Sequence, residues 1–276
     1  MAKEKAILVD TSKCTACRAC QVACKQWNQN PGEKTVNRGS FENPPTLSGF
    51  TWMRILFNEH YKDNQMRWLF TKHQCMHCTD AACVEVCPSG ATKHEEVKLQ
   101  DGSTYKRVAT NEKTCIGCNY CRVACPFDVP GYKQQKRGVY RCTMCFDRVS
   151  NSKVGFEHPA CVKACAPGTL TFGDREELLA TAELRVAQLK KAGFAGAQLY
   201  GQDQLKGLRY LYVLTAPPAE YSLPAKPTVP ASVEVWKVLA KPYGAVATVG
   251  LVAALVVNRI ISARNRGLEE KNKLED

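Results

Sequence analysis

Apolar and polar positions change period several times along this chain, and each change marks an element. Residues 6–10 (AILVD) form a short apolar run next to charge, which predicts a strand. Residues 51–61 and 66–71 are rich in aromatic and branched side chains. They predict two strands, joined as a hairpin around residues 62–65. Residues 97–99 and 105–109 predict a second hairpin that turns at Asp101–Gly102. Between them and the N-terminus, residues 28–50 hold Pro31, Gly32, Gly39, Pro44, Pro45 and Gly49, and predict a loop. Asp174 followed by Glu177 suggests a helix start with a capping-box pattern. Ala182, Val186 and Leu189 share one face of that helix, and Gly193 ends it. Residues 210–215 predict another strand. The mixture is of the α+β class.

The last quarter has a different character. Pro217, Pro218, Pro224, Pro227 and Pro230 predict a stiff, extended linker over 216–235. Residues 242–258 then carry no charge. As a helix that run rises about 25 Å, at the short end for a membrane span. Lys241 and Arg259 flank it and can snorkel. Trp236 and Tyr243 suit an interface, and Gly250 with Ala254 lets another helix approach closely. A transmembrane helix over 236–262 and a polar tail over 263–276 are therefore expected. A buried C-terminal helix is the alternative. Arg259, Arg264, Arg266, Lys271 and Lys273 lie in or after this segment, against Lys226, Lys237 and Lys241 before the run. That balance favours a cytoplasmic C-terminus. Residues 1–10 lack an apolar core of signal-peptide length, so the body is expected either to stay inside the cell or to be exported already folded with a partner.

Sixteen cysteines change the picture more than any periodicity. They form four groups: Cys14, Cys17, Cys20, Cys24; Cys75, Cys78, Cys83, Cys87; Cys115, Cys118, Cys121, Cys125; and Cys142, Cys145, Cys161, Cys165. The first and third read C-x2-C-x2-C-x3-C, the spacing used by 4Fe–4S clusters. Three cysteines on a tight loop wrap three corners of a cubane, and a fourth thiolate arrives from a partner group. Groups two and three are consecutive; groups one and four flank them. The expected ligand sets are thus Cys14, Cys17, Cys20, Cys165; Cys24, Cys142, Cys145, Cys161; Cys75, Cys78, Cys83, Cys125; and Cys87, Cys115, Cys118, Cys121. Four 4Fe–4S clusters follow, in two interleaved ferredoxin-like two-cluster units. The inserted unit covers 72–129, and the outer one covers 1–71 and 130–215.

Two other uses of cysteine fit less well. Structural zinc sites use ligand pairs separated by a longer gap, unlike groups one and three. Disulfide stapling suits small secreted domains, and a chain of 276 residues does not need it. The formal charge of +12 largely offsets the negative charge that thiolate-bound clusters would carry. With 23% charged residues and no Lys/Arg block, it makes no case for nucleic acid. A zinc-scaffolded nucleic-acid binder remains the remote alternative. No nucleophile–base pair or phosphate loop stands out, so no catalytic residue is expected. His73, His77, His158, Asp10, Asp80, Asp128 and Asp147 are expected to make structural hydrogen bonds. Met76 and Met144 should pack near the cysteines.

The segments at 14–28, 72–91, 115–130 and 140–173, with ELRVAQLKKAGF and VWKVLAKPYG beyond them, resemble the iron–sulfur (beta) subunits of membrane-bound formate dehydrogenases. The resemblance implies a complex of three subunits. A molybdopterin subunit, with molybdenum or tungsten, would oxidise formate; this chain would conduct the electrons; a membrane cytochrome b would pass them to quinone. It also implies an inner-membrane, single-pass protein with a periplasmic body. The wider family wires hydrogenases and other molybdopterin oxidoreductases in the same way, which is the alternative. Two departures are visible: Lys25 follows Cys24, and Ala166 separates Cys165 from Pro167. Nitrate reductase relatives replace one cysteine of the third group with tryptophan; here all four are present.

Overall fold

The computed structural model describes residues 4–62, 64–133, 136–151 and 155–275. Residues 1–3 and Asp63, in the expected first hairpin turn, lie outside these, as do the side chains of Lys241, Arg266, Lys271 and Lys273. Met1–Val229 forms one compact unit and Pro230–Asp276 a second.

The centre of the first unit is a four-stranded sheet. Its strands are β1 (Lys5–Asp10), β8 (Leu170–Asp174), β9 (Gln198–Tyr200) and β10 (Tyr210–Leu214), in the order β8-β1-β10-β9. β1 runs parallel to β10 and antiparallel to β8, so the two chain ends of this unit meet at its middle. Alternation along the strands divides the faces. Ala6, Leu8, Leu211 and Val213 pack with Leu178, Ala182 and Leu189 of α6 (Arg175–Lys191). Ile7, Val9, Tyr210, Tyr212 and Leu214 turn the other way, into the core that contains the cysteines. One sheet thus has a supporting helix behind it and the cysteine loops in front. Gly201 sits at the β9–β10 junction with φ +103, where a Cβ would lie 2.5 Å from the Tyr210 carbonyl oxygen.

Three antiparallel hairpins complete the unit. β2 (Met53–Lys62) pairs with β3 (Gln65–Gln74), β4 (Thr92–Lys98) with β5 (Thr104–Thr110), and β6 (Gly131–Lys133) with β7 (Lys136–Tyr140). In the first, Ile55 lies opposite Lys72 and Phe57 opposite Phe70, so Lys72 shares the inward face with them. Short helices carry the cysteine groups: α1 (Ala19–Trp27), α2 (Ala82–Glu85), α3 (Tyr120–Val123), α4 (Phe146–Val149) and α5 (Ala160–Lys163).

Three expectations change in detail. Asp174 stands at the N-cap of α6, yet its side chain makes no capping hydrogen bond and pairs with Lys5 at 2.8 Å. A partly buried lysine ammonium is a stronger partner for a carboxylate than a backbone N–H. The proline-rich stretch is extended only in part. Pro218–Tyr221 makes a 3-10 turn, and Tyr221 and Leu223 are buried in the core. The Tyr221 hydroxyl accepts from Thr11 at 3.0 Å, and Thr71 donates to the Tyr221 carbonyl at 2.7 Å. The compact unit accordingly runs on to Val229 rather than ending near residue 215.

The second unit is α7 (Ala231–Val235), one π-type turn over Trp236–Ala240, and the long α8 (Lys241–Glu275). Within α8, Val246–Arg264 has a mean hydropathy of 1.9 and none of that span is buried. It is long and apolar enough to cross a membrane.

The 28–50 loop is tied down next to Cys24. Glu33 accepts from Ser48 at 2.6 Å and from Thr51, and meets Lys25 of α1 at 3.4 Å. Burial would raise the Glu33 pKa, but the Ser48 and Thr51 hydroxyls and the Lys25 ammonium hold it below its ordinary value. A depressed carboxylate contributes stability above its unfolded pKa, and that stability is lost as pH falls through the folded value. Glu33→Gln is therefore expected to speed amide exchange across residues 34–50 several-fold at neutral pH. Below about pH 4.5, the ordinary value for glutamate, wild type should converge on the variant. Equal protection at neutral pH would refute the clamp.

Candidate metal centres

The cysteine loops share a backbone device. Ala16 and Arg18 bracket Cys17 at φ 53 and 61, and Gly117 and Asn119 bracket Cys118 at φ 72 and 61. His77 (φ 49) precedes Cys78, and Met144 (φ 51) precedes Cys145. Left-handed residues alternating with ordinary ones turn successive N–H groups towards one side, forming a concavity that favours anions. The N–H of Met144 reaches the Cys142 sulfur at 3.3 Å. Backbone N–H groups of Ala16 and His77 likewise donate to Cys14 and Cys75. Four of the short helices each carry a further cysteine: Cys20 in α1, Cys83 in α2, Cys121 in α3 and Cys161 in α5.

The fold brings cysteines from distant groups together. One cavity is lined by Cys14, Cys17, Cys20 and Cys165. A second is lined by Cys24, Cys142, Cys145 and Cys161, with Met144 and Tyr210. In a third place Cys78 feels the charges of Cys75, Cys83 and Cys125. In a fourth, Cys121 feels Cys115 and Cys118. The interactions that define Cys87 are instead with the Thr92 N–H at 3.4 Å and the Ser89 hydroxyl at 3.7 Å. The four places follow one another. Cys20 feels Cys161 of the second, Cys75 feels Cys142 of the second, and Cys121 of the fourth shares a buried cluster with Cys83 of the third. Cys17 and Cys118, in the first and last, are solvent-exposed, while Cys75, Cys142, Cys145 and Cys161 between them are buried.

The electrostatics suit a metal-bound thiolate rather than a free one. Burial pushes the Cys20 thiol up to about 12 and Cys121 and Cys125 up to about 11. Such thiols stay protonated at neutral pH unless a metal displaces the proton. Two buried cations stand among them. Lys72, 4% exposed, lines both of the first two cavities. Burial opposes its charge, but Cys161, Cys142, Cys20 and Cys24 raise its pKa. Arg141, 5% exposed, donates to the Cys83 sulfur at 3.2 Å. Its Nε and Nη2 have no protein partner. A buried guanidinium with two unsatisfied nitrogens beside three thiols fits an anionic inorganic group in that space. The donor chemistry fits polynuclear iron–sulfur clusters.

The other singled-out residues make local bonds. His73 hydrogen-bonds the Phe127 carbonyl at 2.8 Å, and His77 Nδ1 accepts from the Val108 N–H at 2.9 Å. The His158 carbonyl accepts from Arg148 at 2.8 Å. Asp10, Asp80 and Asp128 pair with Arg185, Lys206 and Arg122, and Asp147 accepts from the Trp27 indole at 3.0 Å. Met76 and Met144 are fully buried beside the cysteines. Sequence reasoning did not single out Lys72, Arg141 or Tyr210. The Tyr210 hydroxyl lies 3.4 Å from the Cys142 sulfur, and Lys72 Nζ lies 4.6 Å from the Tyr210 ring centre. A lysine two residues after Phe70 and opposite Ile55, on the strand parity that also carries Trp68 and Phe70, was the available signal.

These loops, thiols and buried cations define an iron–sulfur protein of mixed α and β structure. The comparisons agree: residues 66–175 match the model of a 4Fe-4S dicluster domain. The chain is 37% identical over 270 residues to the formate dehydrogenase, nitrate-inducible, iron-sulfur subunit of Escherichia coli K12, covering 97% of this chain and 88% of that one. It is 36% identical over 278 residues to the formate dehydrogenase-O iron-sulfur subunit of the same strain, with 99% and 89% covered. It is 39% identical over 267 residues to the formate dehydrogenase iron-sulfur subunit of Haemophilus influenzae, with 95% and 82% covered. The chain belongs to the family of formate dehydrogenase iron–sulfur subunits.

Proposed function

We propose that this chain is the electron conductor of a membrane-bound formate:quinone oxidoreductase. It would hold four 4Fe–4S clusters in two interleaved ferredoxin-like units. The ligands would be Cys14, Cys17, Cys20 and Cys165; Cys24, Cys142, Cys145 and Cys161; Cys75, Cys78, Cys83 and Cys125; and Cys87, Cys115, Cys118 and Cys121. When bound, such clusters supply one-electron carriers at potentials tuned by hydrogen bonds, charge and exposure. The observation that carries this reading is that the fold brings cysteines of different groups to common cavities, Cys165 with Cys14, Cys17 and Cys20 in one and Cys24 with Cys142, Cys145 and Cys161 in another.

The chain's own residues divide the work. The cysteines hold the metal and give up their protons to it. Loop N–H groups and the Tyr210 hydroxyl are placed to hydrogen-bond sulfur. Met53, Met144 and Tyr210 exclude water around the second set, which also keeps local charges unscreened. A molybdopterin catalytic subunit, with molybdenum or tungsten, would deliver electrons from formate at one end. A membrane cytochrome b would accept them at the other and pass them to quinone. The apolar helix would anchor the chain in the inner membrane, with the body in the periplasm and the basic C-terminus in the cytoplasm.

Cys118→Ser is expected to disrupt one cluster and leave the others in place, because a hydroxyl is a poorer iron ligand than a thiolate. Iron analysis and low-temperature EPR of the purified variant check this; full iron and an unchanged spectrum would remove Cys118 from the ligand set. Truncation at Ser232 is expected to release a soluble brown protein, since the compact unit ends at Val229. Formate oxidation with a soluble dye should persist while quinone reduction falls sharply. Survival of both activities in a membrane-bound truncated chain would exclude α8 as the anchor.

A further inference from the structure

Buried cations in this fold are normally answered by protein. Arg209 pairs with Glu4 at 2.6 Å, and Arg107 pairs with Glu95 at 2.5 Å. Arg148 donates to the His158 carbonyl and lies between the Trp27 and Phe156 rings at 4.5 and 3.5 Å. Lys72, whose Nζ lies 4.6 Å from the Tyr210 ring centre, and Arg141, whose hydrogen bond goes to the Cys83 sulfur, differ from Arg107 and Arg209. The ion pairs of the described residues give neither of them a carboxylate. Lys72 lines both the cavity of Cys14, Cys17, Cys20 and Cys165 and that of Cys24, Cys142, Cys145 and Cys161, so it faces sulfur from two thiol sets. Arg141 donates to the Cys83 sulfur at 3.2 Å, and Cys83 lies in one buried cluster with Cys121, with Cys78 and Cys115 packed against it, so Arg141 stands among thiols of the other two sets. Two unrelated side chains, on separate elements, therefore occupy the same place in each pair: the boundary between neighbouring sets.

We propose that Lys72 and Arg141 are positioning residues that raise the reduction potentials of the two cluster pairs, each as a fixed positive charge shared between two neighbouring centres. The inference rests on the cluster reading given above. Reduction adds one negative charge to a centre, and a nearby buried cation stabilises the reduced form more than the oxidised one. Burial removes water and salt from between them, so the effect survives at high ionic strength. A shared cation acts on both members of a pair, so it keeps their potentials moving together. Arg141 adds a charge-assisted hydrogen bond to the Cys83 sulfur, which acts in the same direction.

The test is an EPR-monitored redox titration of the full-length chain in its complex, with iron and zinc measured on the same samples. Lys72→Met keeps length and loses charge; Lys72→Arg keeps charge. Arg141→Gln keeps a donor for Cys83 and loses charge; Arg141→Lys keeps charge. Each uncharged variant is expected to lower the reduction equilibrium constant of its own pair at least tenfold, about 59 mV for a one-electron couple. The other pair should hold its potential, the charged variants should restore wild-type values, and the shifts should persist in high salt. Full iron with unmoved potentials overturns the proposal, as does a charged variant that shifts as far as the uncharged one. Should Lys72→Met accumulate without iron, Lys72→Gln replaces it. Loss of iron from both, with Lys72→Arg intact, would assign the charge to assembly and also overturn the proposal. Zinc in place of iron in the wild-type chain would instead sink the cluster reading itself.

Discussion

Sulfur that must carry negative charge inside a protein is the constraint on which this fold depends. A buried thiolate without compensation is costly, and burial accordingly drives Cys20, Cys24, Cys75, Cys78 and Cys145 towards the neutral thiol. Metal binding reverses that preference and becomes part of the folding free energy. The rest of the first unit can be understood as the surroundings that this reversal needs. Left-handed loop residues turn N–H groups inward, Lys72 and Arg141 supply charge, and Tyr210 supplies a hydroxyl.

The sheet makes this possible by separating two tasks. Its α6 face is an ordinary apolar interface of small and branched residues. Its other face presents large, polar-tipped Tyr210 and Tyr212 to the cysteine core. Tyr212 donates to the Lys72 carbonyl at 2.6 Å and accepts from Gln74 at 2.9 Å, so the strand that carries the buried lysine is held against the sheet. The Arg209 N–H meets the Met76 carbonyl at 3.0 Å, which fixes the second cysteine loop to the start of β10. Rigid elements thus hold loops whose own hydrogen bonding is directed at sulfur. A separate apolar helix follows, so attachment to a membrane need not disturb that core.

Much of this was legible in the sequence because the relevant physics is local. Ligand spacing within a loop depends on a few bonds, so the four cysteine groups were visible directly. Apolar and branched runs exposed β1, β10 and the first hairpin, the Asp101–Gly102 turn exposed the second although β4 starts earlier than residue 97, and an uncharged run exposed the apolar part of α8. Local propensity also misled. Asp174 looks like a helix cap until Lys5, far away in sequence, proves the nearer partner. Prolines after residue 216 read as a free tether, yet Tyr221 and Leu223 between them are apolar enough to pack into the core.

By itself the sequence determined which atoms could ligate, in what local geometry, and that an apolar helix follows the cysteine-bearing part, because each depends on near neighbours. The nesting of the groups also suggested which of them pair, and the tertiary structure supplies the actual neighbourhoods: Cys165 beside Cys14 and Cys24 beside Cys142, each pair lining one cavity, and Cys125 near Cys78. It alone placed Lys72 and Arg141 at the boundaries between sets, since a side chain's electrostatic role depends on what folding brings around it. Those juxtapositions arise from pairing β1 with β10 across about two hundred residues, a contact that no local pattern specifies.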